Sequence, residues 1–177
     1  MKLLRTIRFD PSDTFVFDRA AEPGEWVVSG AFMFADADPA TLTGKARTAF
    51  RAGFLGIGSF GWSTLAQIVE ASDQDHAAVT ELLARQLVAQ CGAPGLAQAR
   101  AAAAEEVAFA ASLCTHPADT LIAVHRTSDN GGIREAFRVL RPRHGPKPLR
   151  AFSFLEVEGD EEPGDAIDLA ALAREKK

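Results

Sequence analysis

Four basic residues in the last third of the chain have side chains that bind carboxylates and phosphates. His125 and Arg126 end an apolar, β-branched segment. Arg134 and Arg138 follow the next predicted turn, so they return beside the first pair. Guanidinium groups bind such anions with paired hydrogen bonds, and these four residues are therefore the candidate ligand-binding residues. The alternative interpretation is that each is solvated or paired with a nearby acid, such as Glu135.

The glycine pattern at residues 56–61 is the one segment that matches a named cofactor motif. Its sequence, Gly-Ile-Gly-Ser-Phe-Gly, fits G-x-G-x-x-G, in which glycines let the backbone approach the pyrophosphate of a dinucleotide. That motif follows a buried strand and opens a helix, whereas residues 45–51 have the pattern of an exposed helix. We therefore expect a structural loop whose glycines adopt positive φ angles, and no nucleotide cofactor.

The two cysteines indicate neither a disulfide nor a metal site. Cys91 precedes a helix break at Gly92, and Cys114 lies at the far end of the next helical stretch. A rise of ~1.5 Å per residue places the two sulfur atoms on the order of 25 to 30 Å apart. Cys114 and His116 supply only two of the four ligands that a structural zinc ion needs. The sequence therefore predicts no metal, no cofactor and two buried free thiols.

The clearest architectural signal is an alanine-rich, amphipathic helical pattern between Asp73 and Thr115, interrupted once at residues 92–95. Ser72 is a good N-cap with an acid three residues later, as in a capping box. The segments on both sides are rich in the β-branched and aromatic residues that favour strands. The sequence predicts an α+β fold in which a mostly antiparallel sheet is covered by an α-helical hairpin.

Several other segments have the composition of strands. Residues 62–71 are compatible with a strand or a helix because their apolar run is short. Residues 133–140 follow a predicted turn but also carry an i, i+4, i+7 apolar stripe, as a short helix would. We interpret both segments as strands. Asp38 is predicted to cap a helix from Pro39 to about Arg51. The remaining predicted strands contain residues 3–9, 15–17, 26–34, 120–126 and 149–157.

Composition restricts the class of protein more than its function. The chain has 177 residues, of which 47% are hydrophobic and 24% charged, as in ordinary globular domains. We expect a single domain over residues 1–159 and an acidic C-terminal tail over residues 160–177, with a helical pattern from Asp165. No apolar run approaches the ~18 to 20 residues that span a bilayer, and no signal peptide is recognisable. These features predict a cytoplasmic protein, and its arginine and alanine bias is typical of bacteria with GC-rich genomes.

The charge of the last third is unevenly divided. Residues 126–150 contain seven arginines and lysines against two acids, and residues 156–177 contain eight acids against three bases. These opposite net charges can neutralise each other. An acidic tail in a chain of net charge -5 also argues against nucleic-acid binding by the basic segment.

Four stretches of the chain, residues 21–30, 53–65, 92–94 and 132–138, resemble an uncharacterised family of small bacterial proteins, known only as a domain of unknown function. The resemblance covers most of the chain and implies no activity and no site residues. We therefore expect a non-catalytic accessory or protein-interaction protein. Its expected partner is an unidentified protein, and the sequence is also compatible with a homodimer. The alternative is a protein or enzyme that binds a small anionic ligand through the Arg-rich region from His125 to Arg150.

Overall fold

The computed structural model describes residues 1–129, 132–142 and 155–158 of the chain. Eight strands occur, namely β1 (Lys2–Thr6), β2 (Val27–Val28), β3 (Phe54–Gly56), β4 (Trp62–Ser63), β5 (Leu65–Glu70), β6 (Leu121–Asp129), β7 (Gly132–Pro142) and β8 (Leu155–Glu158). The helices are α1 (Ser12–Val16), α2 (Gly44–Ala52), α3 (Asp73–Cys91) and α4 (Leu96–Ser112), with a 3₁₀ helix at Ala31–Phe34. None of the helices described here is long and apolar enough to cross a membrane.

The strands form two antiparallel sheets, which confirms the α+β fold. The larger sheet has the order β1-β5-β6-β7-β8 and the smaller one the order β2-β3-β4. A backbone bridge between Arg5 and Trp26 connects the two sheets. In the central hairpin, Asp129 pairs with Gly132, so the register places Arg126 opposite Glu135 and His125 opposite Ala136.

Helices α3 and α4 form the predicted hairpin. The backbone N–H of Asp75 donates to the hydroxyl of Ser72 (3.1 Å), and the backbone N–H of Ser72 donates to the Asp75 carboxylate (2.9 Å). This reciprocal pair is the capping box expected from the sequence. Helix α3 ends at Gly92, whose φ of 67° lies in the left-handed region that terminates many helices.

The main core lies between the larger sheet, the helical hairpin and the smaller sheet. Its members include Leu4 and Ile68 from the larger sheet, Leu83 from α3, Ala103 from α4 and Phe54 from β3. The alanine at position 103 has no exposed surface, so its small side chain lets α4 approach its neighbours closely. Full burial of each large aliphatic side chain stabilises the fold by ~1.5 to 3 kcal/mol.

Two predicted strands are wrong because tertiary contacts determine the backbone there. The sequence predicts a short strand at residues 15–17, but Ser12–Val16 forms the short helix α1. Its buried Asp13 accepts a hydrogen bond from the hydroxyl of Thr64 (2.6 Å), which holds the turn against the chain near β5. The strand expected at residues 26–34 is only Val27–Val28, because Gly30 adopts a φ of 80° and a 3₁₀ helix follows.

The helix expected from Pro39 begins five residues later, at Gly44. The Asp38 carboxylate does accept a hydrogen bond from the backbone N–H of Ala40 (3.0 Å), but it closes an isolated turn instead of starting α2. The strand predictions for residues 62–71 and 133–140 are confirmed by β4, β5 and β7. The first strand ends at Thr6 and not at Phe9.

Some predictions lie outside the described residues. These are the turn at residues 130–131, the first part of the strand at 149–157, whose end is β8, and the helical tail at 160–177.

Candidate functional site

Arg126 of β6 is the most buried charged side chain among the described residues, with 0% exposure. A guanidinium group has five N–H donors. Its Nε donates to the Glu135 carboxylate (2.7 Å), and Nη1 donates to the carbonyl oxygens of Phe50 (3.1 Å) and Gly53 (2.7 Å). Nη2 donates to the carbonyl oxygen of Ser29 and to its hydroxyl (3.1 Å). The protein itself therefore occupies all five donors, and Arg126 joins β6 to the end of α2 and to the loop after β2.

Two carboxylates determine the electrostatics around Arg126. Burial lowers the pKa of Arg126, and the charge and hydrogen bond of Glu135 oppose that shift. Glu135 also accepts a hydrogen bond from the hydroxyl of Ser29. On α4, burial raises the pKa of Glu106, and the negative charge of Glu135 raises it further while Arg126 opposes the rise. The cluster is a structural ion pair with a second carboxylate close by.

The strand register separates the four predicted ligand-binding residues. Successive side chains of a strand point to opposite faces, so Arg126 lies on the core side of the sheet and His125 on the other side. Arg134 and Arg138 flank Ala136, the partner of His125, and share its face. Arg134 also forms an exposed ion pair with Asp129 (3.1 Å). The structure therefore groups His125, Arg134 and Arg138 without Arg126, and anion binding by these three stays a prediction.

The glycine loop at residues 56–61 already holds an anion, which is the carboxylate of Glu25. The backbone N–H of Ser59 donates to Glu25 Oε2 (2.8 Å), and the Ser59 hydroxyl donates to Oε1. The backbone N–H of Glu22 also donates to Oε1 (2.6 Å). These are the kinds of donors that a phosphate would need, and Glu25 occupies them. The geometry supports the interpretation of this segment as a structural loop.

The glycines of this loop are needed for a reason that differs from the expected one. None of Gly56, Gly58 and Gly61 is among the residues with positive φ, whereas Phe60 between them has a φ of 57°. A Cβ at Gly58 would lie 2.8 Å from the Glu25 carboxylate. A Cβ at Gly61 would lie 2.6 Å from the backbone of Ala20. The expectation of positive φ angles was therefore wrong, and close approach of neighbouring groups requires glycine here.

A cleft of about 120 Å³ lies between the segment after β1 and the start of β5. We name it the Arg8 cleft, and its lining includes Ile7, Arg8, Phe9, Asp10, Thr64 and Leu65. The Arg8 Nη2 donates to the carbonyl oxygen of Ala21, but its Nε is buried without an acceptor, the one such side-chain atom in the described part of the chain. Phe9 is 66% exposed and Phe15 on α1 is 71% exposed. No sequence pattern predicts this cleft, because the residues around Phe9 and Phe15 have the composition of strands.

A larger groove of about 440 Å³ lies between α2 and the end of β6, and we name it the α2/β6 groove. Its lining includes Arg47, Arg51, Arg126, Thr127 and Ser128 together with Phe50. Arg47 and Arg51 are not among the predicted ligand-binding residues, although their i, i+4 spacing in a predicted helix places them on one face. The approach of α2 to the end of β6 carries no local sequence signal.

The cysteines are both free, with Cys91 exposed and Cys114 buried. Burial raises the pKa of the Cys114 thiol to about 11, which leaves it unreactive at neutral pH. The prediction of a buried thiol is confirmed for Cys114 and wrong for Cys91. Across residues 1–129, 132–142 and 155–158, no group of three or more His, Cys, Asp or Glu side chains is placed to hold a metal ion.

Comparison with known proteins identifies a family but no activity. A family model, described as a family of unknown function (DUF6505), matches residues 1–154 of the chain. Neither a curated protein nor a solved structure shows significant similarity to it. The match covers far more than half of the 177 residues and agrees with the resemblance seen in the sequence. The chain belongs to the family of unknown function DUF6505.

Proposed function

We propose that this protein is a non-catalytic interaction protein whose partner, another protein, contacts the Arg8 cleft and the exposed phenylalanines Phe9 and Phe15. The observation that carries the proposal is the exposure of these two side chains, of which Phe9 lines the cleft and Phe15 lies on α1, two residues beyond the lining residue Asp13. Large exposed aromatic side chains are enriched at protein interfaces.

The other chemically promising groups support a role without catalysis. The Arg126 guanidinium, the Glu25 carboxylate and the Asp13 carboxylate are all engaged by the chain's own donors and acceptors. A general acid, base or nucleophile must instead be able to reach a substrate atom. These three groups therefore stabilise the fold. The exposed side chains of Phe9 and Phe15, by contrast, contribute little to the stability of the folded monomer.

The chemistry of the cleft restricts the partner. Ile7, Phe9 and Leu65 provide apolar surface, so an apolar side chain of the partner fits the site. Burying a phenylalanine removes ~150 to 250 Å² from water. At ~25 cal/mol per Å², Phe9 and Phe15 together would contribute several kcal/mol of gross binding free energy.

The test is a quantitative capture experiment with the full chain. The wild-type protein and the Phe9→Ser/Phe15→Ser double variant are used to capture partners from the native host, and each captured protein is then purified and titrated calorimetrically. We expect the double variant to bind its partner at least ~10-fold more weakly, since ~1.4 kcal/mol is a factor of ten. Leu82→Ser, at an equally apolar α3 position that is 40% exposed, is the matched control.

The same variants distinguish a foreign partner from a second copy of the chain. Sedimentation of the purified protein over a range of concentrations shows whether it self-associates. A dimer that dissociates in the double variant would identify the partner as a second copy. Equal binding by the wild type and the double variant, or an equal loss in Leu82→Ser, would contradict the proposed surface.

A further inference from the structure

The α2/β6 groove has the charge of an anion-binding site. Three arginines, Arg47, Arg51 and Arg126, line it, and no acidic side chain is among the described residues that do so. Three acids adjoin the lining residues: Asp129 pairs with Arg134, Glu135 pairs with Arg126, and the Asp38 carboxylate accepts a hydrogen bond from the backbone N–H of Ala40. Because Glu135 balances Arg126, the positive charge available in the groove is that of Arg47 and Arg51.

Arg47 and Arg51 differ from Arg126 in having open donors. Both are exposed on α2, and neither forms an ion pair with another described residue. They are four positions apart and so lie side by side on one helix face, where like charges destabilise a helix by a few tenths of a kcal/mol. A doubly negative ligand between them would convert this repulsion into attraction.

The opposite wall supplies a neutral donor. Thr127 and Ser128 both line the groove, and by strand alternation the side chain of Ser128 shares the core-side face of Arg126, whereas that of Thr127 lies on the face of His125. The hydroxyl of Ser128 can donate a hydrogen bond to an anion and fix its orientation without adding charge. Phe50, Pro39 and Ala40 add apolar surface for the remainder of a ligand. The volume of about 440 Å³ falls within the ~300 to 1,000 Å³ of small-molecule sites.

We infer that the α2/β6 groove binds a small organic dianion, a phosphate ester or a dicarboxylate, through Arg47 and Arg51 with Ser128. Arg126 forms the back of this site, where its charge is balanced by Glu135 and its N–H groups remain on Glu135, Ser29 and the end of α2. The groove and the Arg8 cleft share no lining residue, so this site is independent of the proposed interaction surface.

The experiment titrates the full-length protein with inorganic phosphate and with succinate, with NaCl adjusted to hold the ionic strength constant. We expect saturable binding heat and shifts of the backbone amide NMR signals of Thr127 and Ser128. Arg47→Ala and Arg51→Ala should each weaken binding at least ~10-fold, as expected for loss of a charge-assisted pair of hydrogen bonds. Arg47→Lys should weaken it as well, because an ammonium group lacks the planar paired donors.

Arg85→Ala is the matched control, because Arg85 is an exposed helical arginine far along the chain on α3. It should leave the affinity within ~2-fold of the wild type. A preference for phosphate over succinate would identify the ligand as a phosphate ester, and the reverse would identify a dicarboxylate. No binding of either anion, an equal loss in Arg85→Ala, or amide shifts confined to other parts of the chain would overturn the inference.

Discussion

Arg126 and Arg51 line the same groove, yet their guanidinium groups have opposite surroundings. Arg126 is buried with five protein acceptors, whereas Arg51 is exposed on α2 and forms no ion pair within the described ranges. The difference arises from the acceptors, since the end of α2, the Ser29 loop and Glu135 all converge on Arg126. The chemistry of a side chain therefore indicates what it can bind, and its neighbours determine whether that capacity is left for a ligand.

The glycine loop shows that hydrogen-bond donors suited to an external anion can likewise be occupied by the chain itself. Its Ser59 N–H and hydroxyl are suitable for a phosphate, but they hold the Glu25 carboxylate of the same chain. A loop that resembles a cofactor motif can therefore serve packing alone. In this molecule the engaged groups stabilise the fold, whereas Arg47 and Arg51 of α2 form no ion pair with another described residue.

The largest expected effect comes from removing Arg126. Arg126→Ala leaves the Glu135 carboxylate and three carbonyl oxygens without their donor, and breaking a buried ion pair from one side costs ~3 to 5 kcal/mol. Arg47→Ala should change the free energy of unfolding by less than ~0.5 kcal/mol, because it is exposed. Urea unfolding measures both. Similar losses in the two variants would remove the distinction between the engaged and the open arginines.

An intermediate effect is expected at the glycine loop. Gly58→Ala places a Cβ against the Glu25 carboxylate, and such overpacking costs ~1 to 3 kcal/mol. Glu25→Ala on its own should also destabilise the fold, because it leaves the donors of Ser59 and Glu22 unpaired. In the double variant the collision is absent, so its loss of stability should be smaller than the sum of the losses in the two single variants. Strict additivity in urea unfolding would show that Glu25 is not the reason for the glycine.

The smallest effect concerns Glu106 and depends on pH. Burial and the charge of Glu135 raise the pKa of Glu106 above its ordinary value of 4.5, so the folded state disfavours the charged form. The penalty is absent in acid, where the group is protonated in both states, and it develops as the pH rises from 4.5 through the raised pKa. Glu106→Gln lacks this charge, so its stability relative to the wild type should increase between acid and neutral pH.

Urea unfolding at several pH values between acid and neutral measures this gain, which should be smaller than either loss described above. Glu105→Gln, at the adjacent and exposed position on α4, is the control and should show little change. A relative stability of Glu106→Gln that stays constant or falls as the pH rises would contradict the assigned environment of Glu106.

The elements that the sequence predicted well are those specified by neighbouring residues. The helical hairpin carries its own capping box and its own glycine break, so it needs no distant contact to be recognised. The β6–β7 hairpin is similar, because the sequence Asp129-Asn130-Gly131-Gly132 predicts a hairpin turn between neighbouring strands, and the observed register pairs Arg126 with Glu135. By contrast, α1 and the short β2 depend on Asp13 reaching Thr64 and on the backbone at Gly30.

The sites were less predictable than the elements. Alternation along β6 places His125 and Arg126 on opposite faces, but it does not show that Arg126 faces Ser29 and Phe50, which are more than 70 positions away in the chain. The Arg8 cleft and the α2/β6 groove likewise form where distant segments meet. Such sites can be recognised from sequence only as lists of capable residues, because their geometry is a product of the tertiary fold.

The pairing of β1 has a consequence for synthesis on the ribosome. Lys2 pairs with Glu70, so β1 is made long before its partner β5 exists. A strand without a partner exposes unpaired N–H and C=O groups that can pair with other chains. The α3–α4 hairpin and the β6–β7 hairpin contain local contacts and can form as soon as they emerge. Strand β1, in contrast, can pair only after β5 has been synthesised. The first residues of this fold are therefore the ones most in need of protection while the chain is incomplete.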